Sequence, residues 1–180
     1  MGSSTPQAVR VRFFGRTRGR AVGQFAATRF QGGTTVSCED NKQVVARFVE
    51  VCQNQHDLEF AHQVFHPDFV NHYAPEGRPI PGDQDRPATG FQTFYGQLLH
   101  GFPDATMEIN EQVAERDLVA TRKTFRGTHL GELWGHQPTG NMVEWEFIDI
   151  FRVKDRKLVE HWTSMDIGAL RAQMQPRGAE

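Results

Sequence analysis

Residues 145–166, WEFIDIFRVKDRKLVEHWTSMD, consist of two strand-like runs on either side of a short polar turn at residues 154–157. This arrangement predicts a β-hairpin. The first run carries Asp149 in the middle of an apolar strand, and the second carries His161 and Trp162. A charged group inside an apolar strand costs free energy unless it is paired or used. The hairpin is therefore the first place to look for chemistry.

The turn decides which side chains of the hairpin meet, because side chains alternate between the two faces of a strand. A three-residue loop at residues 154–156 with a bulge would place Asp149 opposite His161 and Phe147 opposite Thr163. A two-residue loop, Asp155-Arg156, would instead turn Asp149 toward Trp162. Neither loop has its preferred residue, since Arg156 stands where glycine is expected. We favour the three-residue loop, because one face then gathers Trp145, Phe147, Phe151 and Val159 around Asp149 and His161.

A carboxylate–imidazole couple in an apolar wall is suited to proton transfer. The carboxylate fixes the tautomer of the imidazole and raises its basicity. The apolar surroundings predict a raised pKa for Asp149, toward the working range of a base. The alternative is a structural pair whose hydrogen bonds are already satisfied, or a pair of which one member faces solvent.

Charge divides the chain into segments. Residues 1–38 contain six Arg and no acidic residue, whereas the remainder holds 14 basic and 22 acidic residues, a net charge of −8. We predict a basic, flexible extension over 1–38, a folded domain over 39–175 and a tail over 176–180. The acidic domain argues against nucleic-acid binding. The composition of the extension resembles an organellar transit peptide, but we favour a disordered tail or a start codon placed too far upstream.

The cysteine and histidine patterns predict no metal or redox site. Cys38 and Cys52 lack metal or redox spacing, which indicates a reducing compartment, taken here as the cytoplasm. No apolar run is long enough for a transmembrane helix. His129 and His136 flank a glycine-containing loop, where we expect them to face solvent.

Hydrophobic periodicity predicts helices first and strands afterwards. An apolar stripe over 44–52 follows a helix cap at 39–41, Asp57 is expected to cap a second short helix, and Thr89 a third. Strands are predicted at 69–73, 106–115, 118–128, 142–153 and 157–165, before a closing helix at 167–174. The fold class is α+β: three N-terminal helices packed on a strongly curved mixed or antiparallel sheet, as in a cone-shaped barrel.

Five short strings identify a family resemblance. They are FVNH (69–72), GFPD (101–104), GTHLG (127–131), PTG (138–140) and EHW (160–162), in this order. Together they resemble the SnoaL-like polyketide cyclases of the nuclear transport factor 2-like superfamily, over about residues 40–175. The resemblance implies an enzyme without metal or organic cofactor that closes a polyketide ring by acid/base chemistry.

The resemblance also suggests residue roles. Asn71 matches a pocket asparagine of the family, and Asp149 falls near a second catalytic polar position. The catalytic aspartate that follows the Glu-His-Trp string in family cyclases is Thr163 here, and a threonine hydroxyl is no base near neutral pH without an activating group. We therefore predict Asp149, His161 and Asn71 as the catalytic residues. The predicted pocket wall comprises Trp145, Phe147, Phe151, Thr163 and His72.

The predicted function is proton transfer on a hydrophobic polycyclic or terpenoid-like small molecule, in cyclisation, isomerisation or epoxide opening. The alternative is a non-catalytic module of the same fold that binds small molecules or proteins. On the other face of the hairpin, Ile148, Ile150 and Trp162 would form an apolar patch. This patch predicts a homodimer.

Overall fold

The computed structural model describes residues 37–72 and 87–176, and these form a helical layer on one face of a curled sheet. The sheet order is β1-β5-β4-β3-β2, with β1 parallel to β5 and the other pairs antiparallel. No pairing joins β1 to β2 within these residues, so the sheet is curled without closing into a barrel. The strands are β1 (Phe65–Asn71), β2 (Thr106–Glu115), β3 (Leu118–Thr128), β4 (Met142–Lys154) and β5 (Lys157–Met165).

Within residues 37–72 and 87–176, four α-helices and two other helical segments accompany the sheet. Their bounds are α1 (Cys38–Phe48), a π-helical segment (Val49–Asn54), a 3-10 turn (Leu58–Phe60), α2 (Ala61–Val64), α3 (Pro87–Gly101) and α4 (Ile167–Gln173). The α+β prediction is therefore confirmed, with a mixed sheet. No helix among the described residues is both long enough and apolar enough to cross a membrane.

The helix starts differ in detail from the prediction. Ser37, rather than residues 39–41, caps α1, and a capping box with Asp40 satisfies two backbone N–H groups. Asp57 caps the 3-10 turn, as its carboxylate accepts from the backbone N–H of Phe60 at 3.3 Å. Helix α3 begins at Pro87, where a proline is well tolerated, so Thr89 lies inside the first turn.

An aromatic cluster holds the helices against the sheet. The ring of Phe48 in α1 lies 5.5 Å from Phe65 of β1, 5.1 Å from Phe91 of α3 and 5.7 Å from Phe151 of β4. Edge-to-face ring pairs at these distances stabilise the core beyond their buried area. Phe48 thus fixes the position of β4 relative to α1. We call the helix-covered face of the sheet the inner face and its opposite the outer face.

The hairpin uses neither of the two predicted registers. Its turn is the two-residue Asp155-Arg156, both in the left-handed region with φ of 51° and 61°. A bulge follows at once, because Val153 pairs with Leu158 while Arg152 pairs with Glu160. The two-residue turn would bring Asp149 to the same face as Trp162. The extra residue of the bulge reverses this, so that Asp149 and His161 share a face after all. The prediction that Asp149 lies opposite His161 is wrong, since Asp149 pairs with Thr163, Phe147 with Met165 and Phe151 with His161.

The expectation that His129 faces solvent is also wrong. Its side chain is fully buried beside Phe102, with ring centroids 5.4 Å apart, and its Nδ1 lies 3.1 Å from the Thr139 hydroxyl. The chain segments at Gly101 and Gly131 close over this region through backbone hydrogen bonds. The predicted strand end at Tyr73, residues 1–36 of the extension and residues 177–180 of the tail lie outside the described residues.

Candidate functional site

Asp149 lies at the centre of a polar cluster on the inner face. Only 4% of the residue is exposed. Its Oδ2 lies 2.6 Å from Nζ of Lys123 on β3, and its Oδ1 lies 3.2 Å from Nε2 of His161 on β5. Asp149 and His161 therefore share a face as predicted, but they meet diagonally across the hairpin rather than directly opposite each other.

The surroundings of Asp149 lower its pKa instead of raising it. Burial by itself disfavours the carboxylate and raises the pKa. The Lys123 ammonium beside the carboxylate outweighs that effect, and the nearby His161 adds to it, so the pKa stays well below its ordinary value. The predicted raised pKa is thus wrong, because the sequence analysis took no account of Lys123. Asp149 is ionised at neutral pH and is a weak base.

His161 is held on three sides. Its Nδ1 lies 3.0 Å from Oδ1 of Asn71 at the end of β1, and its ring stacks on Phe151 at 4.5 Å between centroids. The assigned Asn71 oxygen calls for a proton on Nδ1. The other nitrogen, Nε2, is close to Asp149 but is not aligned for a hydrogen bond, and it has no hydrogen-bond partner among the described residues. The three predicted catalytic residues therefore lie together.

The cluster continues past Lys123 into the helical layer. Lys123 is fully buried, and its Nζ donates to Oε1 of Gln53 at 3.2 Å. Gln53 is presented by the π-helical segment, and its backbone carbonyl accepts from the Tyr95 hydroxyl at 3.0 Å. Such π-helical turns are frequent at functional sites. Neither Lys123 nor Gln53 was predicted from the sequence.

The predicted wall residues divide between the two faces. Phe147 and Phe151 are buried on the inner face, and Phe147 lies under Nζ of Lys123 at 5.0 Å. Trp145 lies on the same face, and its buried Nε1 has no hydrogen-bond partner among the described residues. Thr163 lies beside Asp149, but its hydroxyl donates to the backbone carbonyl of Ile148 at 3.2 Å.

His72 does not join the others. It stacks on Trp162 at 4.6 Å, with its Nε2 3.0 Å from a carboxylate oxygen of Glu160. Trp162 and Glu160 pair with Ile150 and Arg152 on the outer face. His72 therefore lies across the sheet from Asp149, because its partners Trp162 and Glu160 are on the outer face. We do not include it in the candidate site.

The fold and the site together define a class of protein: an α+β domain with a curled mixed sheet and a polar cluster in the inner wall of that sheet. Residues 43–174 match the family of SnoaL-like polyketide cyclases, and the chain belongs to that family. No curated protein matches the sequence.

Solved structures agree with this assignment. AclR of Streptomyces galilaeus, a candidate hydroxylase, is 30% identical with a TM-score of 0.65, over 77% of this chain and 97% of AclR. IdmH of Streptomyces antibioticus, a candidate polyketide cyclase, is 33% identical with a TM-score of 0.63, over 74% of this chain and 97% of IdmH. A candidate SnoaL-like polyketide cyclase from Jannaschia sp. CCS1 is 19% identical with a TM-score of 0.66, over 81% of this chain and 97% of its own, and supports the fold alone.

Proposed function

We propose that this protein is a cofactor-free enzyme of the SnoaL-like polyketide cyclase type. It acts by acid/base proton transfer on a hydrophobic, polycyclic or terpenoid-like small molecule. The reaction is a cyclisation, an isomerisation or an epoxide opening. Membership of the family and the similarity to IdmH, a candidate polyketide cyclase, support this class of substrate.

The observation that carries the proposal is the buried Nε2 of His161. It lacks a hydrogen-bond partner among the described residues, yet it lies 3.2 Å from an ionised carboxylate. A proton that arrives at Nε2 creates an imidazolium directly beside Asp149. The carboxylate then stabilises that charge, and Asn71 holds the opposite side of the ring.

In this mechanism Asp149 remains ionised throughout, and His161 carries the proton from one substrate atom to another. General acid/base catalysis by one positioned group contributes about 10²–10⁴-fold. That is sufficient for a substrate with an activated C–H bond or a strained ring. Thr163 takes no proton in this scheme, because its hydroxyl is engaged by the Ile148 carbonyl.

A second candidate function is non-catalytic binding of a hydrophobic molecule. One observation favours it: each nitrogen of His161 faces a protein group, and the two oxygens of Asp149 face Lys123 and His161. A cluster whose members face one another in this way also suits a rigid binding wall. The two functions predict different effects of replacing His161. Turnover falls if the protein is an enzyme, whereas only ligand affinity changes if it is a binding module.

The test compares His161→Gln and Asp149→Asn with the wild type against a panel of polyketide and epoxide substrates. Loss of turnover by 10²-fold or more in His161→Gln, with ligand affinity retained, is the expected result. Glu146→Gln is the matched control for Asp149→Asn, since it changes an exposed carboxylate on the outer face of the same strand. Circular dichroism checks that each variant is folded. Undiminished turnover in His161→Gln would exclude this histidine as the proton carrier.

We further propose a homodimer formed through the outer face. Ile148 and Ile150 of β4 remain 44% and 36% exposed in the isolated chain, and they lie side by side with Trp162 and Ser164 of β5. Light scattering at micromolar concentration should give twice the chain mass, and Ile148→Asp should give the single-chain mass. A single-chain mass for the wild type would contradict the dimer.

The free thiols Cys38 and Cys52 support the proposed cytoplasmic location. Cys52 is fully buried, and burial raises the pKa of its thiol to about 12, which makes it unreactive. The basic extension over residues 1–38 and the tail over 176–180 remain proposals. Limited proteolysis followed by mass spectrometry would test the boundary near residue 38.

A further inference from the structure

Lys123 is a charged side chain in a position that normally holds an apolar one. It lies on the inner face of β3 between the fully buried Val119 and Thr121 on one side and the buried Phe125 on the other. Its amino group has no exposure to solvent. Burying an ammonium group is strongly unfavourable unless it is paired. Its partners are the Asp149 carboxylate at 2.6 Å and the Gln53 amide at 3.2 Å.

The two oxygens of Asp149 are divided between two partners. Oδ2 faces Lys123, whereas Oδ1 faces Nε2 of His161. With Lys123 present, the cation and the carboxylate balance, and the imidazole is not required as a counter-ion. Without that cation, a buried carboxylate would draw a proton onto His161, because an adjacent opposite charge favours the charged form of a group.

We propose that Lys123 is a positioning residue that neutralises Asp149, leaving His161 uncharged with its proton on Nδ1 and its Nε2 ready to accept another. This inference rests on the proposed proton transfer, and it names Lys123 as the group that keeps His161 able to accept the proton. Gln53 supports it by fixing the amino group from the helical layer.

The groups that face His161 in the described part of the chain support this assignment. From β4 come the Asp149 carboxylate and the uncharged ring of Phe151, and from β1 comes the Asn71 amide. Lys123 acts from β3 through Asp149, and Gln53 from the π-helical segment is uncharged. Among the contacts of His161 and Asp149 in the described part of the chain, the charged groups are thus the Asp149 carboxylate and the Lys123 cation paired with it.

The experiment follows the His161 ring by ¹⁵N NMR from pH 5 to pH 9. Its resonances are assigned with His161→Gln. In the wild type at pH 7.5 we expect a neutral imidazole protonated on Nδ1. In Lys123→Met, and in Lys123→Gln as a second uncharged variant, the imidazolium signal should persist to higher pH by about 1 to 2 pH units.

Catalysis provides the second readout. In both Lys123 variants the acid limb of the kcat/KM profile should move to higher pH, so that turnover near pH 7 falls about 10- to 100-fold and recovers at alkaline pH. A residue with only a structural role would lower turnover by the same factor at every pH.

Two NMR results would overturn the inference. One is a wild-type imidazolium, or a proton on Nε2, at pH 7.5. The other is an unchanged His161 titration in a folded Lys123 variant. Neither measurement needs a substrate, so failure of the proposed enzymatic function would leave this test intact. If both variants fail to fold, a wild-type imidazolium or a proton on Nε2 still overturns the inference, and a neutral imidazole protonated on Nδ1 supports it.

Discussion

The two faces of the same hairpin carry similar ionic clusters in opposite environments. On the inner face, Lys123 and Asp149 have side chains 0% and 6% exposed, at 2.6 Å from each other. On the outer face, Arg152 and Glu160 have side chains 33% and 30% exposed, at 2.7 Å. Each cluster joins a cation, a carboxylate and a histidine, and the distances hardly differ.

The comparison shows that burial, rather than contact distance, decides what an ion pair does. Arg152, Glu160 and His72 remain partly in water, where screening leaves such pairs with at most about 1 kcal/mol each. Lys123 and Asp149 are desolvated, so each requires the other as its counter-ion. Of these two clusters, only the inner one holds its imidazole beside an ion pair that is shielded from water.

The largest expected effect is on stability when one member of the inner pair is removed. Asp149→Leu leaves the Lys123 ammonium buried without its counter-ion. The free energy of unfolding should fall by about 3–5 kcal/mol, measured by urea denaturation. A loss below about 1 kcal/mol would mean that the inner pair behaves like the outer one.

The second prediction concerns the double variant Lys123→Met with Asp149→Leu. Replacing both charges by apolar groups of similar size removes the desolvation cost together with the attraction, so most of the lost stability should return. The measurement is a double-mutant cycle by urea denaturation, with the Lys123→Met single variant included. Simple additivity of the two single losses would contradict it, and the double variant should remain inactive.

The strands that carry these clusters were predicted from the sequence, but the buried ion pair was overlooked. The predicted bounds of β2, β3 and β5 match the structure, because alternation and turn residues are local signals. The shared face of Asp149 and His161 was also predicted, although through a different turn. A bulge at Val159 is set by packing on both faces and has no distinctive residue signature.

Lys123 did leave a signal in the sequence. In LVATRKTFRGT it falls in phase with Val119 and Phe125, which marks a lysine on the buried face of a strand. Such a lysine requires an anionic partner. Gln53 offered no such signal, because its direction depends on the change from an α-helix to a π-helix after Phe48.

A third prediction uses His129, a buried histidine with no carboxylate partner in the part of the chain that the structure describes. Burial, and after it the charge of His136, holds the pKa of His129 below its ordinary 6.5. The folded state therefore binds fewer protons than the unfolded state, and stability present above pH 6.5 declines as pH falls below it. Melting curves from pH 7.5 to about 5 should show a smaller decline in His129→Gln than in the wild type. His62→Gln, which changes an exposed histidine, is the control and should leave the slope unchanged.

The smallest expected effect belongs to the outer cluster. Arg152→Met removes ion pairs with Asp117 and Glu160 and a contact over the Trp162 ring, yet all the charged partners keep access to water. The free energy of unfolding should change by about 1 kcal/mol or less, and the difference should shrink as salt is added. Urea denaturation at low and high salt measures both quantities. A loss as large as that of Asp149→Leu would show that the outer cluster is buried in the working protein, as it would be if a second copy of the chain covered that face.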